Sequence, residues 1–532
     1  MNAAYDNLVR ILSNASSPEQ RFAAINGFAS ELEWTPNYQL RNSFGVAGAE
    51  DHLVVEHGLE NSAIISFLKA PHRATDLDSQ QLRALLTISY NNLVEWHIFV
   101  SETEARYVNN LTQPFVEWTY QISRSNLLHL SASYFDKLTS DELSLDRVPS
   151  RSLSSCDEAL IQVVSRWKRL LRADYRGLDN EHISALFNAL IFVRGCEDQR
   201  RSVGDLSSRL LLSVVDSIQG RNVNVARAVD EALNRCDVPS TGRNLLDFSK
   251  LQALPDIERS TVLNLLVDFY RPPAAPYEFN FALMSKHALS RIYERYVSVL
   301  HFGEEESRQL SFISPVPIEK STAKAGAVYT PLFVASFFSR FIRHNLTPRM
   351  FRRLVTLDPA CGSGIFLRTL LELQCNPLDP DTTPQNISET FGRVRALDRD
   401  PNACQATRLS LALLHLVATG VLPDDVNVQN ADSVKLALDG NFPSGAFGAI
   451  VANPPYIKLE HLSADERETY SQYLGDQDRG RLDSYLAFVK LCLDVVEDGG
   501  FVCLVLPQVF LLANNAAFLR RRISERAMCV VS

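Results

Sequence analysis

Val355-Thr356-Leu357-Asp358-Pro359-Ala360-Cys361-Gly362-Ser363-Gly364-Ile365-Phe366-Leu367 opens as a short apolar run, passes through small residues and ends in an apolar helix. The pattern predicts a strand that stops at Asp358, a turn over Pro359–Gly364 and a helix beyond it. Glycines there allow a tight turn and the close approach of a ligand to the backbone. Outward from this unit, short apolar runs at 354–357, 394–397, 449–452 and 501–506 alternate with helical patterns. Strands alternating with helices predict an α/β fold with a parallel, doubly wound sheet.

Three of these runs, 354–357, 394–397 and 449–452, end in polar residues suited to chemistry. Arg393-Val394-Arg395-Ala396-Leu397-Asp398-Arg399-Asp400-Pro401 predicts a second strand followed by a helix from about Asn402. A carboxylate at that strand end suits the two ribose hydroxyls of a nucleoside cofactor, with Asp398 the first choice and Asp400 the second. The polar segment 376–389, rich in Pro, Asp and Thr, reads as an inserted loop. Val428-Gln429-Asn430-Ala431-Asp432-Ser433 ends a third strand, and Ile450-Val451-Ala452-Asn453-Pro454-Pro455-Tyr456 a fourth. Alone, Asp432 reads as a turn residue. Gly326-Ala327-Val328-Tyr329-Thr330-Pro331 precedes a helix from about Leu332, with Thr at the cap and Pro at the start.

The strings Asp-Pro-Ala-Cys-Gly-Ser-Gly at 358–364 and Asn-Pro-Pro-Tyr at 453–456 resemble the motifs of adenine-N6 DNA methyltransferases of bacterial restriction-modification systems. The resemblance implies a Rossmann-like domain that binds S-adenosyl-L-methionine. Asp358, Pro359, Ala360, Gly362 and Gly364 would hold the amino-acid part of the cofactor, and Asp398 its ribose. Asp432 would face its adenine amine, and Tyr329, Thr330 and Pro331 would help hold its methionine end. Asn453, Pro454, Pro455 and Tyr456 would be catalytic. The exocyclic amine of adenine is a poor nucleophile, because its lone pair is delocalised into the ring. Hydrogen bonds from that amine to the Asn453 side-chain oxygen and the Pro454 carbonyl would aim the lone pair at the methyl group, while two prolines keep the turn rigid. Tyr456 would stack on an adenine flipped out of double-stranded DNA. Asp483-Ser484-Tyr485-Leu486-Ala487-Phe488 and Asp498-Gly499-Gly500-Phe501-Val502 match the next helix and strand of that fold.

The motif order implies a target-recognition domain, or subunit, C-terminal to the catalytic domain. The family's seventh strand, which lies between the fifth and sixth, also has no counterpart within these 532 residues. The expectation is therefore a C-terminally incomplete methyltransferase domain over residues 311–532, with 501–506 at an exposed sheet edge.

Two further domains are expected. Residues 1–120 mix helix and strand signals, with consecutive strands at 53–55 and 63–68 and a third at 94–100. This part resembles the nuclease-like domain of fused restriction-modification enzymes, which hold a divalent metal with Asp and then Glu-x-Lys. Asp51 and Lys69 fit, but Phe67 stands where the Glu belongs, so a degenerate domain is expected, with an unrelated α/β domain as the alternative. Residues 121–310 read as a helical connector, with apolar residues at helical spacing over 160–171 and 183–191 and a Pro-rich break at 271–276.

Composition is that of a globular chain, 46% hydrophobic and 22% charged. No run approaches the ~20 apolar residues of a membrane span. The nine cysteines form no Cys-x-x-Cys pair, so no zinc cluster is expected and a reduced, cytoplasmic setting is. A net charge of −9 argues against a dedicated DNA-binding module, while leaving local basic patches such as 340–353 and 520–522. A cytosine-C5 methyltransferase is excluded, because no proline is followed by the cysteine nucleophile that class needs. A bifunctional restriction enzyme, an RNA adenine methyltransferase and an inactive DNA- or partner-binding pseudo-methyltransferase remain as alternatives.

Overall fold

The computed structural model of the chain describes residues 2–13, 18–41, 49–57, 60–69, 72–143, 151–175, 177–200, 208–283, 330, 332–375, 382–442, 445–475 and 483–526. Among the described residues, no helix is long and apolar enough to cross a membrane.

A six-stranded sheet organises the N-terminal part: β1 (Thr35–Arg41), β2 (Ala49–His57), β3 (Glu60–Leu68), β4 (Trp96–Val100), β5 (Glu104–Asn109) and β6 (Glu117–Gln121), in that spatial order. β1, β2 and β3 are antiparallel, β4 is parallel to β3, and β4, β5 and β6 are again antiparallel. The parallel step requires a crossover, supplied by the helix Ser79–Asn91, which Asp78 and Gln81 start with a reciprocal capping box. Alternation along the strands divides the sheet's two faces. Leu53, Val55, Ile65 and Phe67 face a core with the helices Asn2–Leu12 and Pro18–Glu31. Val54 and Ile64 face a second core shared with the connector. Leu127, Leu130, Phe135 and Leu138 also pack in the first of these cores, so the N-terminal body continues past the boundary expected at 120.

The described part of the region read as a connector holds the helices Cys156–Asp174, Asn180–Arg200, Leu210–Ser217, Val225–Arg235 and Arg259–Tyr270. Its polar centre is Arg194, fully buried beside Asp198 at 3.5 Å. The Arg194 guanidinium donates to the carbonyls of Phe269 (2.6 Å), Tyr270 (3.3 Å) and Phe279. Two of these are carbonyls at the end of a helix, which need donors from outside it.

A five-stranded sheet organises the C-terminal part: β7 (Thr356–Asp358), β8 (Val394–Asp398), β9 (Val428–Asn430), β10 (Phe447–Ala452) and β11 (Val496–Leu504). The order is β9-β8-β7-β10-β11 and every pairing is parallel. β10 is buried at all of its positions, as a strand covered on both faces must be. Strand order reverses between β7 and β10, which opens a crevice at their C-terminal ends. The helices Ile365–Gln374 and Pro401–Thr419 join the core shared with the connector, while Ser484–Val495 and Ala464–Leu474 pack on the other side. β11 is the end strand of the sheet among the described residues.

One local expectation is corrected. The segment read as a loop over 376–389 contains the start of a helix, Pro384–Gly392, while 376–381 lie outside the described residues. Thr383 caps this helix through the Asn386 N–H, Pro384 sits in its first turn, and Ile387 and Phe391 bury one stripe.

Candidate active site

Asp358 closes β7 and is fully buried. One of its oxygens accepts from the Ala360 N–H at 3.1 Å, and the other is buried without a hydrogen bond. Burial, and then the neighbouring Asp398, push its pKa well above the usual carboxylate range, against the Ala360 bond. The turn that follows needs glycine twice. Gly362 and Gly364 have φ of +52° and +79°, in the left-handed region. A β-carbon at Gly362 would meet no atom within 4 Å, whereas one at Gly364 would lie 2.8 Å from Thr407 Cγ2. Thr407 lies on the helix Pro401–Thr419 and donates from Oγ1 to the Gly362 carbonyl at 2.8 Å. Ser433 holds the other side of the turn, donating to the Pro359 carbonyl at 2.6 Å.

Asp398 ends β8 and reaches back to this turn. It accepts from the N–H groups of Gly362 and Asp400, each at 2.9 Å. Burial raises its pKa, and those two bonds oppose the rise. Asp400, the second choice at this strand end, is instead the cap of Pro401–Thr419, accepting from the Asn402 N–H at 2.9 Å. Asp432 lies two residues past the end of β9 and caps the helix Ser433–Leu438, through the N–H groups of Val434 and Lys435 at 2.9 and 3.1 Å. One carboxyl oxygen, Oδ1, takes both of these bonds.

Asn453 follows the C-terminal end of β10, one strand over from Asp358. Its side-chain amide donates to Thr330 Oγ1 at 3.1 Å. Its side-chain oxygen lies 2.7 Å from the Tyr456 hydroxyl, which also lies 2.8 Å from the Val505 carbonyl. A phenol has one hydrogen, so it donates to one of these at a time. Burial raises the Tyr456 phenol, which keeps it a donor at neutral pH. The Tyr456 ring meets the edge of Tyr485, with centroids 6.0 Å apart. Pro454 is buried and Pro455 half-buried. Of the leading motif, Thr330 is brought to Asn453, while Tyr329 and Pro331 lie outside the described residues.

Sequence reasoning missed Thr407 and Ser484. Each is a small hydroxyl on a helix, and a lone hydroxyl carries no periodic or motif signal. In the N-terminal sheet, Asp51 lies opposite Phe67 across the β2–β3 pairing, and Arg21 approaches its carboxylate at 3.5 Å. Lys69 is buried just past β3.

Residues 393–528 match the family of Eco57I restriction-modification methylases. The chain is 20% identical over 432 residues to the type II restriction enzyme and methyltransferase RM.Eco57I of Escherichia coli, covering 70% of this chain and 41% of that protein. It is 22% identical over 214 residues to the type II methyltransferase M.BanIII of Aneurinibacillus aneurinilyticus, covering 38% of this chain and 34% of that one. The chain thus spans less than half the length of these curated relatives. Among solved structures, the DrdV–DNA complex is similar at a TM-score of 0.43 and 12% identity, over 99% of this chain and 51% of that one.

Proposed function

We propose that the chain is the methyltransferase part of a restriction-modification or phage-defence protein, transferring a methyl group from S-adenosyl-L-methionine to the N6 amine of adenine in double-stranded DNA. The match of residues 393–528 to restriction-modification methylases supports the broad class. The observation that carries the finer reading is Asn453 held by Thr330 and Tyr456 at the end of β10, across the crevice from Asp358 and Asp398.

The residues fit the cofactor. Asp358 has a buried carboxyl oxygen without a hydrogen bond, and an ammonium is the partner such an atom lacks. Two buried acids at neighbouring strand ends favour a ligand bearing positive charge. Gly362 leaves open space above the turn, where an alanine would place a methyl group. When bound, S-adenosylmethionine supplies an electrophilic methyl on a sulfonium. Asp358 would face its ammonium and Asp398 its ribose hydroxyls. Asp432 would accept from its adenine amine, beside the helix cap and the Tyr470 phenol that its carboxylate also holds.

Asn453 would accept a hydrogen bond from the target amine through its side-chain oxygen, and Pro454 through its carbonyl. Both draw electron density toward the amine nitrogen and orient its lone pair. Thr330 accepts from the Asn453 NH₂ and so fixes which end of the amide faces the base. Tyr456 would stack on the flipped base, provided its ring keeps its face open beside Tyr485.

The N-terminal sheet would be a nuclease-like domain that has lost its metal chemistry. Its antiparallel β1–β3 followed by a parallel β4 offers the strands such a site uses, but the carboxylate expected beside Asp51 is Phe67, and Arg21 faces Asp51 instead.

The test is methyl transfer from labelled cofactor to unmethylated double-stranded DNA, with the product identified as N6-methyladenine. Asn453→Ala should abolish transfer and leave cofactor affinity within a few-fold. Normal transfer by that variant would overturn the mechanism. Methylation of cytosine or protein alone would overturn the substrate assignment.

A further inference from the structure

The turn Asn453-Pro454-Pro455-Tyr456 must hold one shape while a base enters and leaves. Proline rings fix φ at Pro454 and Pro455. No ring fixes Tyr456, whose backbone sets where its phenol and ring point. The structure supplies that constraint from a different helix.

Ser484 opens the helix Ser484–Val495 and is 1% exposed. Its hydroxyl donates to the Pro455 carbonyl and accepts from the Ile457 N–H at 3.0 Å. Its own N–H donates to the Ile457 carbonyl at 2.7 Å. The Pro455 carbonyl belongs to the peptide before Tyr456, and the Ile457 N–H to the peptide after it. One hydroxyl therefore grips both peptide planes that flank Tyr456, and with them both of its backbone dihedrals. A hydroxyl can do this because it is donor and acceptor at once. The neighbouring Lys458–Asp483 bridge continues the same pairing between the two segments. The consequence reaches Asn453, because the Tyr456 hydroxyl lies 2.7 Å from its side-chain oxygen.

We infer that Ser484 is a positioning residue for methyl transfer, locking Tyr456 and, through it, the Asn453 side-chain oxygen in the geometry that receives the target amine. The inference rests on the function proposed above. With 1% of its surface exposed, Ser484 would act through Tyr456 rather than by touching cofactor or base. Its removal should therefore lower the rate of transfer without altering cofactor affinity, since misplacing reacting groups by about 1 Å can cost roughly 100-fold.

The experiment compares the full chain with Ser484→Ala, Ser484→Thr and Ser484→Cys. Three quantities are measured for each: transfer of labelled methyl to unmethylated double-stranded DNA at saturating cofactor, S-adenosylmethionine affinity by calorimetry, and the thermal midpoint. The expected result is a loss of at least about 10-fold in rate for S484A at unchanged cofactor affinity, with S484T, which keeps the hydroxyl, recovering most of it and S484C falling between. The inference is overturned if S484A transfers at the wild-type rate. It is equally overturned if the rates follow the thermal midpoints and cofactor affinities rather than the presence of a hydroxyl. If the unsubstituted chain binds cofactor but makes no N6-methyladenine, the functional reading fails instead, and the two failures are distinct.

Discussion

Replacing Gly362 and Gly364 by alanine should separate two roles of one turn. Both glycines have positive φ, where an L-residue is destabilised by roughly 1–2 kcal/mol, so both variants share that loss. At Gly364 the new methyl would lie 2.8 Å from Thr407 Cγ2 and 2.9 Å from its Oγ1. Thr407 is fully buried, and its hydroxyl holds the Gly362 carbonyl, so it cannot turn aside without leaving that carbonyl unpaired. Overpacking of this kind adds about 1–3 kcal/mol, for a total of roughly 2–5. At Gly362 the methyl meets nothing within 4 Å, so the loss stays near the backbone term. That same methyl stands in the space proposed for the cofactor. A steric conflict of about 1–3 kcal/mol there corresponds to roughly 5- to 150-fold weaker binding. Urea unfolding and calorimetric titration with S-adenosylmethionine read the two effects separately. The expected ranking is G364A below G362A in stability, and G362A weakened in affinity well beyond its stability loss. G362A binding the cofactor with wild-type affinity would refute the assignment of this turn as the cofactor loop.

The raised pKa values of Asp358 and Asp398 predict a pH dependence with a definite sign. A cationic ligand favours the ionised acids, so S-adenosylmethionine affinity should rise with pH through their elevated range and then level off. Binding below that range should release protons, detected by calorimetry in buffers of different ionisation heat, and a pH-independent affinity would contradict the proposed contacts. For the ligand-free chain the sign is opposite: the contribution of these acids to stability is fully present below the unfolded carboxylate value of about 3.9 and is lost as pH rises through the folded values. Gly195→Ala tests the seam between connector and C-terminal sheet, because its methyl would lie 2.7 Å from Leu413 Cδ2. A loss of about 1–3 kcal/mol in a single shared unfolding transition is expected, and an unchanged midpoint would show that the two parts are not packed as one core.

What could be read from the sequence follows from the range of the interactions involved. The strands β7, β8 and β10 were legible to within two residues, because apolar runs that end in Asp or Asn are local signals. The choice between Asp398 and Asp400 was not, since aspartate serves equally as a ligand and as a helix cap, and only the fold shows Asp400 spent on the cap. Segment 376–389 misled because Thr-Pro is both a loop composition and a helix start. The polar partners of the site were out of reach. Thr330 meets Asn453 across 123 positions, and Ser484 meets Pro455 across 29, with no pattern to link them.

In the sequence the middle region reads only as a helical connector, yet the geometry ties it to the proposed site. The helix Pro401–Thr419 is buried at every position from Leu409 to Leu416, and a helix covered on all sides belongs inside a core. Thr407 on this helix reaches the glycine turn, while Leu413 packs on Gly195 of the connector. Gln405 donates to the Leu245 carbonyl, and Lys250 reaches Asn402 at 3.3 Å, both close to the helix start beside Asp398. The helix that shapes one wall of the proposed cofactor site is thus clamped by the connector at its start and along its length. Sheet and glycine turn alone would leave that apolar surface in water, so the connector is part of what holds the turn of the proposed cofactor site rigid.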